Sequence, residues 1–285
     1  VSHTVLSVLR AAEGWFGQHG VDAPKRSAEL LLGKVLGLDR LQLYLQHDRP
    51  LSEEERASMR AFTQRRGKGE PVAHLLGSWS FRGFELEVSS AVLIPRPETE
   101  ELVDLVLAAT PSGARVVDLG TGSGAIAIAI AKERPDVSVV AVDLSKNAIE
   151  VATRNVARHG VADRVQLRQG SWWGPCSADA PFDVLVSNPP YVDPAQPQFL
   201  AEDVRQFEPP LALFSENGDP GSCYRAICAE VGRRVLAGGL VAMETGAGAS
   251  DAAFRELQNC ASLCDVELRK DLAGIDRFVV ARRLR

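Results

Sequence analysis

The sequence contains no long apolar run, no excess of positive charge, no CxxC pair and no low-complexity tract or internal repeat. Without ~18 consecutive apolar residues it offers no candidate membrane-spanning helix, and no membrane partner is expected. The N-terminal residues lack a signal-peptide pattern, and the cysteine usage suits reduced thiols, so a cytoplasmic location is expected. Lys and Arg number 32 against 37 Asp and Glu, a formal charge of -5 with a pI near 5.6. That balance argues against a protein held on nucleic acid by bulk electrostatics. The five cysteines, an odd number, sit at positions 176, 223, 228, 260 and 264 with no histidine near them. No metal site is expected, and the thiols read as small buried residues on helices.

What is present is a chain of ordinary globular composition, 285 residues long with 45% hydrophobic and 24% charged residues. Residues 1–70 carry helical periodicity. Val5, Leu6, Val8, Leu9 and Ala12 share a face, Pro24 opens a second segment, Leu41 to Leu45 make a third, and Ser52 with Glu55 forms a capping box for a fourth. From 72 to 88 the pattern changes to short strands, with a hairpin turning at Gly83, so residues 71–90 are expected to link two domains. From 91 to 285 strand and helix alternate. Strands are expected at 115–119, 138–142, 164–168, 182–187 and 239–243, with helices at 97–106, 124–133, 146–158, 222–236 and 250–259. Such alternation predicts an α/β fold, a parallel sheet covered on both faces, and the segments 266–268 and 277–280 add a strand pair whose last member is antiparallel. Net charge is +1 over residues 1–90 and -6 beyond. Arg56, Arg60, Arg65, Arg66 and Lys68 crowd one helix end, either as a solvated face or as a contact for an acidic partner.

The most informative residues are Asn188-Pro189-Pro190-Tyr191, directly after the apolar run 182–187. A strand that stops at two prolines delivers its last residue to a surface or cleft, because proline has no N–H with which to continue a ladder. The result is a rigid group of acceptors, one side-chain amide and one aromatic ring, suited to gripping a planar –NH2 group. Such nitrogens, in adenine, cytosine or a glutamine amide, are poor nucleophiles. If the Asn188 side-chain oxygen and the Pro189 carbonyl accept the two N–H bonds, the lone pair is aimed and the bonds strengthen as positive charge develops. Tyr191 would lie against the planar group. No strong general base is needed, since a methylated, protonated amide loses its proton readily.

A glycine loop, Asp118-Leu119-Gly120-Thr121-Gly122-Ser123-Gly124, joins a buried strand to a helix and suits a ligand approaching the backbone closely. Gly120, Gly122 and Ala125 also satisfy the dinucleotide fingerprint, and Asp143, 19 residues after Gly124, is placed to receive ribose hydroxyls in either case. Asp118 inside the first strand favours a ligand with positive charge over a pyrophosphate, and S-adenosylmethionine carries an ammonium, a sulfonium and a ribose. Trp172, after the third strand, is placed either to cover adenine or to fill the core.

These motifs together resemble the HemK/PrmC family of protein-glutamine methyltransferases. Asn188 to Tyr191 are similar to the amino-methyltransferase signature. The stretches Pro71–Gly77, Phe81–Val88 and Val92–Glu100, with Asp118–Gly124 and the closing Asp271–Arg277, carry the narrower likeness. The resemblance implies a class I methyltransferase fold, a doubly wound, mostly parallel seven-stranded sheet with an antiparallel last strand, preceded by a small helical domain that helps hold the substrate. It implies binding of S-adenosylmethionine, with S-adenosylhomocysteine as product, by Asp118, Gly120, Thr121, Gly122, Ser123, Gly124, Asp143, Trp172 and Asn188. It implies catalysis by Asn188, Pro189 and Tyr191, and a glutamine site lined by Asn188, Pro189, Pro190, Tyr191 and Glu244. The implied substrate is the glutamine of the Gly-Gly-Gln motif of class I peptide-chain release factors. His74-Leu75 departs from the Tyr-Ile-like pair usual in the family, a difference expected to bear on packing of the hairpin. Rival readings are a ribosomal-protein glutamine methyltransferase, an adenine methyltransferase acting on nucleic acid, and a non-catalytic binder of release factors. The acidic balance disfavours the nucleic-acid reading, so no nucleic-acid substrate is expected.

Overall fold

The computed structural model describes residues 3–196, 200–246 and 248–285. They form two compact units, one holding the described residues up to Ser78 together with Leu200–Phe207, the other the remaining described residues from Trp79 to Arg285.

The first unit is helical: α1 (Val5–Gln18), α2 (Pro24–Leu36), α3 (Arg40–Leu45), α4 (Glu53–Arg66) and α5 (Val72–Leu76). In α1 the apolar residues Val5, Leu9, Ala12 and Phe16 recur on one face and are all buried, joining Leu31 and Leu32 of α2, Leu43 of α3 and Met59 of α4. Ser52 and Glu55 form the expected capping box, and Asp39 with Gln42 forms a second one. The strand expected to begin near 72 is instead α5. Pro71 precedes its first turn and Gly77, at φ 71°, stops it in the left-handed conformation. Leu75 packs into the helical core, so the His74-Leu75 departure concerns this unit. The basic run on α4 is largely paired within the unit. Arg60 meets Glu53 at 2.8 Å, Arg65 meets Glu70 at 2.5 Å, and Arg66 is buried with its guanidinium donating to the Glu70 carbonyl at 3.0 Å.

A hairpin follows, β1 (Ser78–Phe81) and β2 (Phe84–Glu87), counted with the second unit from Trp79 on, and its two turn residues Arg82 and Gly83 both have positive φ, the geometry that matches strand twist. Then follow α6 (Pro97–Ala109), β3 (Arg115–Leu119), α7 (Ala125–Glu133), β4 (Ser138–Asp143), α8 (Lys146–Arg158), β5 (Val165–Gln169) and β6 (Phe182–Ser187). After α9 (Glu202–Phe207), which belongs to the first unit, come α10 (Pro210–Leu213), α11 (Ser222–Arg234), β7 (Val235–Glu244), α12 (Ser250–Gln258), β8 (Leu263–Lys270) and β9 (Asp276–Arg283). The strand order is β5-β4-β3-β6-β7-β9-β8, parallel through β7, with β9 antiparallel to both its neighbours. The expected helix to 236 ends at Arg234 because Val235 is drawn into the sheet, pairing with Phe182 ahead of an irregularity in the β6–β7 pairing. Helices α9 and α10 were not anticipated. Cys223 and Cys228 are buried on α11, whereas Cys264 lies on β8 and Cys260 just after α12, so the expected helical placement holds for two of these four.

Alternate strand residues enter opposite cores. Val116, Val184, Val186 and Leu240 face the layer of α6 and α7; Val117, Leu119, Leu185 and Val241 face the layer of α11 and α12. Asn155, fully buried on α8, ties three segments together. It accepts from Glu87 N at 2.7 Å and donates to Glu87 O at 3.0 Å and Ser123 O at 2.9 Å. Replacing it with Ala strands those backbone groups, and Asn155→Ala is expected to lose ~2–4 kcal/mol of stability in urea unfolding. A variant as stable as the parent would show that the clamp contributes nothing.

Candidate active site

The two motifs meet through strand register. Leu119 at the end of β3 pairs with Ser187 at the end of β6, and the Ser187 hydroxyl donates to the Leu119 carbonyl at 2.5 Å. One residue further on each strand, Gly120 and Asn188 are therefore neighbours. A Cβ added at Gly120 would stand 3.7 Å from the Asn188 carbonyl oxygen, and Gly120 holds a φ of 81°. Strand order reverses direction here, from β3 outward to β4 and β5 on one side and to β6 on the other, which makes it the switch-point crevice of an open α/β sheet.

A cavity of about 1170 Å³, its open mouth included, fills this crevice. Of the residues expected at the cofactor, Gly120, Thr121, Gly122, Ser123, Asp143, Trp172 and Asn188 line it. Asp118 and Gly124 are not part of that lining. Gly124 instead starts α7 at φ 83°, where a Cβ would press on Ile128 and Ala152 at 3.2 and 3.4 Å. Asp118 is buried two residues before the loop and accepts the Thr121 hydroxyl at 2.6 Å. Asp143 accepts Gly122 N and Ser145 N, both at 2.8 Å, one on each carboxylate oxygen, leaving a lone pair on each for hydroxyl donors. Trp172 faces the cavity from a left-handed φ of 41°, a strained backbone for a bulky residue, while Trp173 is core, its indole donating to the Ile227 carbonyl at 2.8 Å.

Around the second motif, Asn188 and Pro190 line the cavity and Pro189 is buried beside it. Tyr191 stands outside that lining, its ring so close to Gly246 that a Cβ there would lie 2.2 Å from Cε2. Burial and the nearby Glu244 push the Tyr191 phenol up to about 12, so it stays neutral. Glu244, buried at the end of β7, reaches the motif through Thr99. The Thr99 hydroxyl donates to Glu244 Oε2 at 2.7 Å, and Asn188 Nδ2 donates to Thr99 Oγ1 at 3.4 Å. Burial raises the Glu244 carboxyl to about 7 against the opposing effects of Thr99, Arg277 and Arg96.

Sequence reasoning missed Thr99, and it missed the wall formed by Pro209, Leu211, Ala212 and Phe214. Glu208 fixes that wall, accepting Arg96 at 2.5 Å and Ile94 N at 3.1 Å. The chain also closes on itself where Val192 N donates to the Leu213 carbonyl at 3.0 Å. A signal existed: Glu208-Pro209-Pro210 repeats the pattern of a polar residue before two prolines seen at Asn188.

The charges fit a cationic ligand better than a diphosphate. Asp143 and Glu216 line the cavity with Arg96, which is already paired with Glu208. Beneath the loop, Asp118 Oδ1 is buried with no hydrogen-bond partner among the described residues. A ligand with a cationic centre, vicinal hydroxyls and a planar base suits this lining, the hydroxyls matching the free lone pairs of Asp143 and the base the Trp172 ring. Among the described residues no cluster of His, Cys, Asp and Glu suits a metal ion, and no helix is long and apolar enough to cross a membrane.

Burial raises Asp118 from 3.8 to about 7. Between those values the unfolded chain has released its proton while the folded chain retains it. Stability therefore falls as pH rises from about 4 to 7, by up to ~4 kcal/mol, and the loss is complete above 7. Asp118→Asn is expected to raise the melting temperature of the ligand-free protein at pH 8 and to leave it near the parent value at pH 4. A difference independent of pH would contradict this origin. Gly246→Ala forces the Tyr191 ring to move and is expected to lower turnover at least several-fold in a folded protein; unaltered turnover would show that the ring's position is immaterial.

Comparison with known proteins agrees with this architecture. Residues 7–77 match the model of the PrmC N-terminal domain, and residues 98–205 match that of the methyltransferase small domain. A release factor glutamine methyltransferase from Geobacter sulfurreducens is 39% identical over 280 residues, covering 98% of this chain and 96% of the relative. One from Xylella fastidiosa is 42% identical over 257 residues, 90% of this chain and 92% of the relative. Among solved structures, a methyltransferase from Pyrococcus furiosus superposes with a TM-score of 0.51 at 16% identity, covering 72% of this chain and 92% of that one, a likeness of fold. With its crevice, paired motifs and near full-length identity to these relatives, the chain belongs to the release factor glutamine methyltransferase family.

Proposed function

We propose that this protein transfers a methyl group from S-adenosylmethionine to the side-chain amide nitrogen of the glutamine in the Gly-Gly-Gln motif of class I peptide-chain release factors. The observation that carries the reading is the β3–β6 register, which sets Asn188 beside the glycine loop. The relatives' shared activity supplies the substrate. When bound, the cofactor supplies an electrophilic methyl on a positively charged sulfur.

The chain's own residues do the rest by orientation and charge. Gly120 to Ser123 and Asp143 would hold the nucleoside and amino-acid parts of the donor, and Trp172 would cover the base. Asn188 Oδ1 and the Pro189 carbonyl accept the two N–H bonds of the glutamine amide, which turns the nitrogen lone pair toward the methyl carbon. Positive charge developing on the glutamine nitrogen as it takes up the methyl group would strengthen both hydrogen bonds. Pro190 limits where the amide can lie, and the neutral Tyr191 ring backs the motif. The N-methylated amide then releases a proton to solvent, so no side chain need act as a base. Holding the two reactants in this geometry contributes much of the acceleration, on the order of 7–11 kcal/mol for well-aligned partners.

Asn188→Ala is expected to lose ~2–4 kcal/mol in kcat/KM while retaining affinity for S-adenosylhomocysteine. The assay follows labelled methyl from the cofactor into an intact class I release factor and into one with the motif glutamine replaced. Label in the first alone, and its loss with Asn188→Ala, is the expected result. Label entering ribosomal protein or nucleic acid instead would overturn the substrate assignment.

A further inference from the structure

Transfer as proposed above requires the Asn188 side chain to present its oxygen, not its NH2, to the substrate amide, and this inference rests on that reading. An asparagine amide has two nearly isosteric orientations, and surroundings choose between them. Thr99, in the first turn of α6, is buried yet contributes to the cavity wall. Its hydroxyl has a single proton, donated to Glu244 Oε2 at 2.7 Å. Its oxygen is left as an acceptor, and Asn188 Nδ2 donates to it at 3.4 Å. Turning the amide over would set Asn188 Oδ1 against an oxygen whose proton is already committed, two acceptors face to face.

We propose that Thr99 is a positioning residue that takes the N–H of Asn188 and so locks the amide oxygen toward the substrate. Glu244 anchors the chain of bonds. Its backbone pairs with Phe278 on β9, and its carbonyl accepts the Tyr224 hydroxyl at 2.9 Å. Arg96 before α6 and Arg277 on β9 oppose the burial that raises the Glu244 carboxyl, with Glu98 and the Tyr191 and Tyr224 hydroxyls as its other polar neighbours. Without Thr99 the amide is free to turn. In the wrong orientation its NH2 meets the NH2 of the glutamine, a clash of donors that grows as positive charge develops. The loss therefore falls on kcat, whereas the KM for a whole release factor reflects a much larger contact surface.

The test compares Thr99→Val, nearly isosteric but without a hydroxyl, with Thr99→Ser, which keeps it. Methyl transfer is expected to show kcat down about 10-fold in Thr99→Val, KM and S-adenosylhomocysteine affinity within about 2-fold of the parent, and Thr99→Ser near the parent. A substrate-free readout accompanies it: the Asn188 side-chain NH2 signals in 15N-labelled protein, slow to exchange with water in the parent and Thr99→Ser and fast in Thr99→Val. Unchanged kcat in Thr99→Val, or Thr99→Ser as impaired as Thr99→Val, would overturn the proposal. So would NH2 exchange indifferent to the hydroxyl. A parent enzyme that transfers no methyl to a release factor would instead remove the substrate reading, and the exchange measurement would still decide the role of Thr99.

Discussion

Parallel pairing of β3 with β6 is the constraint on which the site depends. Val116, Val117, Asp118 and Leu119 lie opposite Val184, Leu185, Val186 and Ser187, and a slip of one residue would turn every side chain of β6 to the wrong core. Both faces of these strands are buried in apolar layers, which fixes the register. Two prolines then prevent β6 from continuing its ladder at the level where β3 gives way to glycine. The glycine loop and the Asn188-Pro189-Pro190 motif come together because two strands end side by side. No long-range coupling is needed to explain their proximity.

The site is assembled at the expense of stability. Asp118 and Glu244 are both carboxyls buried to the point that their affinity for a proton rises to about 7. Each disfavours the folded, ligand-free protein at neutral pH; Asp118 accepts the Thr121 hydroxyl and Glu244 the Thr99 hydroxyl. The surrounding order offsets that burden. Asn155 clamps the glycine loop to α8 and β2, and Glu208 clamps Ile94 and Arg96 to the wall beyond. Stability and site geometry are thus shared out among different residues, the usual pattern where activity needs buried charge.

Much of this was legible in the sequence because the signals were local. The strand ending in Asn188-Pro189-Pro190, the glycine loop and Asp143 at the next strand end each announce themselves within a few residues, and all fall where the alternation of strands and helices predicts. What was not legible arises from tertiary contact. Asp118 looked like a direct ligand group from its position before the loop, yet the strand's alternation buries it beneath Thr121. Thr99 looked like one residue of a helix start, and only the sheet order brings Glu244 and Asn188 to either side of it. The helix at 72–76 was misread as strand because five residues are too few to display a period. Its bracketing Pro71 and Gly77 were the better guide. The cavity wall around Pro209 and Phe214 had a visible cue in Glu208-Pro209-Pro210, but its partner, Arg96, is 112 residues away in sequence.

The central claim is that Asn188 grips a glutamine amide directly against the methyl donor held by the glycine loop. A crystal structure of the protein with S-adenosylhomocysteine and a peptide containing Gly-Gly-Gln tests it most directly. The account predicts the glutamine amide nitrogen within hydrogen-bond distance of Asn188 Oδ1 and facing the cofactor sulfur across the gap left for a methyl group. A glutamine bound away from Asn188, or gripped by it with the sulfur on the far side of the Trp172 wall, would contradict it.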